Sequence, residues 1–360
     1  MRITRISQTM RATLIEPHSS SPVAASALGP TAKFCLIAVL AVAAGGCLDP
    51  GEPGNLVPKT VDEDSTLPQI AVAGTLLHSE AFGNPNAPIV MVLHGGPGSD
   101  YRNLLPLRAL ADDGYRVVFW DQRGTGLSER HDAGSYTFPL YLEDLRLVIE
   151  HYSMSPDQPL AFIGHSWGGI YATYFINQYG DYGGRVRGAI VSESGGFTKK
   201  QLDAYLARLT GSIDLTGEQI NDGTWAAQFM SPADQARADY LSAVLSFKGW
   251  EPEHHDPKNP SPFWRNGAVV AAKLFSLADD QGFDWSTNLA AFHHKVLFLR
   301  GDLNTAMPIE QQQELASSYP DAEIVTMANT PHEMVWYRPD EYLARVRDYF
   351  HQIGFAGVTP

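Results

Sequence analysis

The 360-residue sequence contains only two cysteines and lacks the common nucleotide-binding glycine motifs. Cys35 and Cys47 both lie near the N-terminus, so the rest of the chain has no thiol for a disulfide. Neither G-x-G-x-x-G nor a Walker sequence occurs. The formal net charge of −14 disfavours contact with a phosphate backbone. We therefore expect no nucleotide cofactor and no nucleic-acid partner.

Residues 1–46 are typical of an export signal. Basic residues precede the uncharged apolar run 34–44, which is too short to span a membrane as a mature helix. The run ends in Ala-Gly-Gly-Cys, which resembles a bacterial lipobox, although alanine stands where leucine is usual. In a lipobox Cys47 would be lipidated and become the new N-terminus. We expect a cell-envelope protein anchored at Cys47; a periplasmic or secreted protein and an uncleaved anchor are the alternatives.

Composition divides the remaining chain into a linker, a core and an insertion. Residues 47–69 are rich in proline, glycine and acids, which predicts a flexible linker. Residues 70–196 and 287–360 alternate between apolar runs and helical spacing, as expected of a core domain. Residues 197–286 interrupt that alternation with helical pieces and polar turns. They predict a helical cap, because a structureless connection of that length is improbable in a compact domain.

The alternation of strands and helices predicts the fold class. Predicted strands cover residues 75–82, 87–93, 115–120, 159–163, 186–191, 295–299 and 322–327. Predicted helices cover residues 104–112, 139–152, 167–178, 309–318 and 340–351. Repeated alternation of this kind indicates an α/β fold with a doubly wound, mostly parallel sheet. In such sheets ligands bind beyond the carboxyl ends of the strands.

The pentapeptide Gly164-His165-Ser166-Trp167-Gly168 stands between a predicted strand and a predicted helix. A G-x-S-x-G sequence in this context holds its serine on a sharp, exposed turn as a nucleophile. A serine in an ordinary glycine-rich loop is the alternative. The strand-to-helix context favours a nucleophile at Ser166.

Two further motifs follow predicted strands and point to the same chemistry. HGGPG (94–98) offers backbone amides that can approach a developing oxyanion, and the amide after Ser166 is a second candidate donor. DQRGTGLS (121–128) follows the next predicted strand. With GHSWGG (164–169), these motifs resemble the proline iminopeptidase branch of the α/β-hydrolases in order and spacing. The resemblance covers roughly residues 70–352 and implies an α/β-hydrolase fold.

The resemblance also implies roles for particular residues. It makes Ser166 the nucleophile and gives the oxyanion hole the amides of Gly96 and Trp167. The general base follows the last strand in this family, and His332 is the histidine at that place, within NTPHEM (329–334). We expect no cofactor and no metal at this site.

The acid of the expected triad departs from the family pattern. Family members usually carry it in Gly-x-x-Asp-x-x-x-Pro; here Gly301 and Pro308 keep the frame, but Asn304 occupies the acid position. Asp302, two residues earlier, is our first choice. Glu193, after another strand, and Asn304 itself are the alternatives, although an amide stabilises imidazolium less than a carboxylate does.

The residues expected to recognise the substrate also depart from the family pattern. Proline iminopeptidases bind a free N-terminal amine through cap glutamates, but the comparable stretch 266–270 has none. Asp279 and Asp280 are candidate replacements, or a surface pair at a helix end. We expect an aminopeptidase acting on small peptides. A carboxylesterase on the same scaffold and a non-catalytic binding protein are the alternatives.

A second polar cluster could suggest a metal site. It consists of Glu251, Glu253, His254, His255 and Asp256. Adjacent histidines in a polar, proline-rich loop are more often a solvated surface than a set of ligands. We expect no metal there.

Overall fold

The computed structural model describes residues 57–212, 235–248 and 259–358. Within these ranges eight strands form one sheet in the order β1-β2-β4-β3-β5-β6-β7-β8. Their bounds are β1 Gln69–Val72, β2 Thr75–Phe82, β3 Ile89–Leu93, β4 Arg116–Trp120, β5 Leu160–His165, β6 Val186–Ser192, β7 Val296–Gly301 and β8 Ala322–Met327. The β1–β2 and β2–β4 pairs are antiparallel, and the pairs from β4 through β8 are parallel. The predicted mostly parallel sheet is confirmed.

The apolar runs form central strands because both faces of the sheet are covered. All five residues of β3 are buried. Ile89, Met91 and Leu93 belong to one hydrophobic cluster, whereas Val90 and Val92 belong to another. Successive side chains of a strand point to opposite faces, so the two clusters are the two layers of the core. The doubly wound arrangement follows from this alternation.

Helices supply the outer layers. Their bounds are α1 Phe138–Tyr152, α2 Trp167–Tyr179, α3 Lys199–Ser212, α4 Gln235–Lys248, α5 Ala268–Gln281, α6 Ile309–Ala316, α7 Met334–Tyr337 and α8 Pro339–Gln352. The helix predicted over 104–112 is instead a 3₁₀ segment, Arg102–Ala111, with Pro106 inside it. Proline has no backbone N–H to donate, which disfavours a regular α-helix there. No helix in the described ranges is both long and apolar enough to cross a membrane.

The segment before β1 corrects the predicted linker. Val57, Thr60 and Val61 are buried, and the Val61 amide donates to Leu127 O at 2.8 Å. Gln69 already belongs to β1. Two valines therefore attach an otherwise polar segment to the domain, and the linker prediction is wrong for residues 57–69. The export signal, Cys47 and the rest of the linker lie outside the described residues and stay predictions.

The insertion between β6 and β7 carries α3, α4 and α5. Asp239 of α4 is fully buried and accepts hydrogen bonds from Arg130 Nε at 3.0 Å and Arg265 Nε at 2.8 Å. Its other oxygen accepts from the Ala268 amide at 2.8 Å. This carboxylate thus ties α4 to the loop after β4 and to the start of α5. Residues 213–234 and 249–258 lie outside the described ranges, so the extent of the cap stays a prediction.

Candidate active site

The candidate residues gather at the carboxyl ends of the parallel strands. Ser166 follows β5, Glu193 follows β6, and His332 follows β8. A cavity of about 410 Å³ opens at this edge and is lined by both Ser166 and His332. The expectation that the motifs converge beyond the strand ends agrees with this arrangement.

The turn between β5 and α2 holds Ser166 in a strained conformation. Ser166 has φ 54° and ψ −118°, in a region that residues other than glycine rarely adopt. A Cβ on Gly164 would lie 2.4 Å from Gly168 O, and one on Gly168 would lie 2.0 Å from Leu93 O. The two glycines are therefore required for the close approach of the backbone, and the serine is presented at the strand end.

Two backbone amides are candidate donors to an oxyanion at this serine: that of Trp167, the next residue in the chain, and that of Gly96, which lines the same cavity as Ser166. Trp167 is the first residue of α2, so its N–H has no acceptor within the helix. Gly96 lines the cavity and has φ 122°. A Cβ there would lie 2.4 Å from Gly98 N, so only glycine fits. These are the two amides predicted to form the oxyanion hole.

Gln122 connects the loop that carries Gly96 with Trp167, a role that no sequence pattern predicted. Its Nε2 donates to His94 O at 3.1 Å, and its Oε1 accepts from Trp167 Nε1 at 3.1 Å. Its backbone N–H donates to His94 Nε2 at 3.0 Å. The side chain is fully buried. The signal for this residue was its place in the DQRGTGLS motif.

His332 is paired with Glu193, the second choice of the sequence analysis. His332 Nδ1 lies 3.1 Å from Glu193 Oε2, and both side chains are buried. Glu193 has φ 53° directly after β6, and its amide donates to Leu299 O at 3.0 Å. Its Oε1 accepts from the Gly301 amide at 2.7 Å. The central sheet thus holds Glu193 through its backbone amide and through its Oε1.

The first choice for the acid, Asp302, is corrected by this geometry. Asp302 Oδ1 accepts a hydrogen bond from the Thr330 amide at 3.2 Å, so its carboxylate supports the loop that leads to His332. β7 continues to Gly301, which leaves Asp302 in the turn that follows the strand. Glutamate has one more methylene than aspartate, which lets Glu193 reach the imidazole from the neighbouring strand.

Asn304 lies beside the contact between His332 and Glu193 and touches both side chains. Its Nδ2 donates to Glu193 Oε2 and lies 3.2 Å from His332 Nδ1. The reverse orientation would place Oδ1 against the carboxylate, which is electrostatically unfavourable. Asn304 therefore supports the acid as a donor instead of orienting the imidazole through its carbonyl.

Burial shifts the pKa values of this pair in opposite directions. Desolvation raises the pKa of Glu193 to about 7, against the hydrogen bonds from Asn304 and the Gly301 amide. Desolvation lowers the pKa of His332, and the nearby His165 acts in the same direction. A neutral imidazole with Nδ1–H directed at a carboxylate leaves Nε2 as a proton acceptor, which is the state a general base needs.

The cavity carries a single carboxylate among its described lining residues. That residue is Glu333, whose Oε2 accepts a hydrogen bond from Asn103 Nδ2. No sequence pattern singled out this residue. Asp279 and Asp280 do not line the cavity in the described ranges; Asp279 is largely exposed and pairs with Lys199 at 3.0 Å. Of the two predicted alternatives for Asp279 and Asp280, the structure favours a surface pair over replacements for the cap glutamates.

One group among the described residues has the composition of a metal site. His165, His332 and Glu333 offer ligand atoms that all lie within 4.8 Å of one another. One nitrogen of each ring is engaged, His165 Nε2 with His332 O at 2.9 Å and His332 Nδ1 with Glu193. The polar cluster at residues 251–256 lies outside the described ranges.

Comparison with known proteins places this geometry in a family. A family model described as the alpha/beta hydrolase fold matches residues 88–339. A proline iminopeptidase from Saccharolobus solfataricus is 23% identical over 281 residues, which cover 73% of this chain and 85% of that protein.

Two solved structures resemble the chain in fold. A crystal structure of the proline iminopeptidase of Mycobacterium smegmatis superposes with a TM-score of 0.54 at 18% identity, covering 79% of this chain and 97% of that one. An esterase from Thermogutta terrifontis gives a TM-score of 0.54 at 20% identity, covering 80% and 97%. The family match spans well over half of the sequence. The chain therefore belongs to the α/β-hydrolase family.

Proposed function

We propose that this protein is a serine hydrolase that works through an acyl-enzyme and releases the N-terminal residue of short peptides. The observation that carries the proposal is the contact between His332 Nδ1 and the buried carboxylate of Glu193, with His332 and Ser166 lining one cavity. A nucleophile, a base and a group that orients the base are the parts that acyl transfer requires.

In the proposed acylation step Ser166 Oγ attacks the carbonyl carbon of the substrate. His332 Nε2 takes the hydroxyl proton, and Glu193 stabilises the imidazolium that forms. The amides of Gly96 and Trp167 donate to the oxyanion, and each such donor contributes about 3 kcal/mol to lowering the barrier. The imidazolium then gives its proton to the leaving amine, and the C–N bond breaks.

Deacylation repeats the same transfers with water. His332 removes a proton from a water molecule that attacks the ester carbonyl of the acyl-enzyme. The tetrahedral oxyanion again accepts hydrogen bonds from the amides of Gly96 and Trp167. When the intermediate collapses, His332 returns the proton to Ser166 Oγ. The amino acid leaves, and the free enzyme is restored.

Several observations favour a peptide substrate with a free N-terminus. The relative from Saccharolobus solfataricus is named a proline iminopeptidase, and it is matched over most of its length. The volume of about 410 Å³ suits one residue and a short continuation. The lining is largely apolar or neutral and includes Tyr205, Leu209, Phe263 and Phe275. A small apolar first residue suits such walls.

A carboxylesterase is the second candidate, because its reaction uses the same groups. Its support is the similarity in fold to a thermophilic esterase. An ester has a better leaving group than an amide, so an aminopeptidase of this kind also hydrolyses activated esters. Ester turnover alone therefore does not separate the two functions.

A fluorophosphonate probe tests the nucleophile. We expect the wild-type protein to be labelled covalently and Ser166→Ala to remain unlabelled at the same thermal stability. Labelling of the alanine variant to the wild-type extent would refute the assignment of Ser166. A correctly folded wild type that neither labels nor hydrolyses any substrate would favour the binding-protein alternative.

Parallel assays then define the substrate. Aminoacyl arylamides, beginning with prolyl and alanyl, are compared with short-chain p-nitrophenyl esters. We expect arylamide turnover that disappears in Ser166→Ala. Ester hydrolysis with no arylamide turnover would replace the aminopeptidase proposal by the carboxylesterase.

A further inference from the structure

We infer that Glu333 is a specificity-determining residue whose carboxylate binds a cationic group on the acyl part of the substrate, adjacent to the scissile carbonyl. The inference rests on the proposed hydrolysis at Ser166 and names the substrate class that this cavity selects. That class is an acyl group with an ammonium on its α-carbon.

The position of Glu333 fits a group two bonds away from the reacting carbonyl carbon. A carboxylate oxygen of Glu333 lies within 4.8 Å of ligand nitrogens of both His332 and His165. An α-ammonium nitrogen lies about 2.5 Å from its carbonyl carbon, from the standard N–Cα and Cα–C bond lengths. With the carbonyl at Ser166 and the base beside it, an ammonium that faces His332 falls within reach of Glu333.

The charge of the cavity favours a cation and disfavours an anion. Glu333 is the one carboxylate among the described lining residues, and neither lysine nor arginine occurs among them. A substrate carboxylate at this place would meet an uncompensated negative charge. An ammonium would instead pair with Glu333 in surroundings that screen less than bulk water does.

Among the described residues the carboxylate of Glu333 has one hydrogen-bond partner and no capping role. Glu333 is the N-cap of α7, but its side chain makes no capping hydrogen bond. The capping contacts use its carbonyl, which accepts from the Trp336 and Tyr337 amides. Within the described residues the carboxylate receives one hydrogen bond, to Oε2 from the neutral amide of Asn103. No donor from the described residues contacts its Oε1, which can therefore accept from a ligand.

The test compares two p-nitrophenyl esters that differ only at the α-position. The L-alanyl ester carries an ammonium, and the 2-methylpropanoyl ester carries a methyl group of similar size in its place. Initial rates are measured below the pKa of the substrate amine for the wild type, Glu333→Gln and Glu333→Asp. Glutamine keeps an acceptor for Asn103 and removes the charge, whereas aspartate keeps the charge. Asp280→Asn is the matched control, since it removes one charge from α5 outside the cavity lining.

We expect Glu333→Gln to lower kcat/KM for the alanyl ester by on the order of 10- to 100-fold, the range of one charge-assisted hydrogen bond. The ratio of kcat/KM for the alanyl ester to that for the 2-methylpropanoyl ester should fall by the same factor. Glu333→Asp should retain part of the preference, and Asp280→Asn should retain all of it. Any effect of Glu333 on His332 acts on both esters and cancels in their ratio.

An equal loss on both esters in Glu333→Gln, or an unchanged ratio between them, would overturn this inference and leave the hydrolase proposal standing. If the wild type hydrolyses neither ester and Ser166 takes no fluorophosphonate label, the hydrolase proposal itself fails, and this inference fails with it.

Discussion

Replacing Glu193 by glutamine removes one charge from the buried contact with His332 and leaves the volume unchanged. The two carboxylate oxygens of Glu193 accept from three donors, namely the Gly301 amide, Asn304 Nδ2 and His332 Nδ1. A glutamine at this position has one acceptor oxygen and places an N–H₂ group against at least one of those donors. The imidazolium formed during acylation then lacks its counter-charge.

The expected magnitude follows from the role of that charge. Exchange of carboxylate for amide behind a catalytic histidine lowers kcat by about 10⁴ in a serine protease. This factor corresponds to roughly 5.5 kcal/mol in the activation free energy. Asp302→Asn is the matched comparison. Asp302 accepts from the Thr330 amide at 3.2 Å through one oxygen, which asparagine retains, so we expect a loss of about tenfold at most.

The assay measures kcat and kcat/KM of both variants on the best aminoacyl arylamide and on an activated ester. The rate of fluorophosphonate labelling reports the reactivity of Ser166 without dependence on a leaving amine. Thermal denaturation of each variant confirms that a loss of rate is not a loss of folded protein. If Asp302→Asn loses more activity than Glu193→Gln, Asp302 is the acid after all and the assignment drawn from this geometry is wrong.

Two further predictions concern the same machinery. Burial raises the pKa of Glu193 to about 7, so protonation of this carboxylate should make the wild-type kcat/KM fall as the pH drops through that value. Glu193→Gln should move the acid limb of the pH profile to lower pH, and an unchanged limb would contradict the assignment. Gln122→Met should lower kcat by about 10- to 100-fold with little change in KM, because the loops that carry both oxyanion amides lose their link. An increase confined to KM would show that Gln122 acts on substrate binding instead.

The sequence predicted the sheet well because its strands are buried on both faces. A run such as residues 87–93 is too short for a typical helix and apolar throughout, which favours a strand covered on both faces, and β3 lies within it. The edge strand β1 was missed because four residues carry too short a pattern. Val57 and Val61 were missed because two valines in a proline-rich, acidic segment have no periodicity.

The candidate site was predictable to the extent that its residues lie in local motifs. Ser166 and Gly96 sit in such motifs, and the structure brings both to the cavity. The partner of His332 depends on which strand ends lie next to each other and on how far a side chain reaches. The spacing of residues in the sequence contains neither kind of information. The motif framed by Gly301 and Pro308 therefore predicted Asp302 as the acid, whereas the residue in contact with His332 is Glu193, which follows the neighbouring strand. Glu333 carried no signal beyond its position after the base.

The position of Glu193, directly after β6, determines how the candidate site is lost when the protein unfolds. β6 lies between β5 and β7, and the Ser166 amide donates to Ser192 O at 2.7 Å. Nucleophile and acid thus directly follow two adjacent strands at the middle of the sheet, the part of such a fold that opens last. Fraying of the loop after β7 displaces Asn304 but leaves the backbone of Glu193 in place. Ser166 and Glu193 therefore separate when the domain unfolds cooperatively. Opening of the loop after β7 does not separate them.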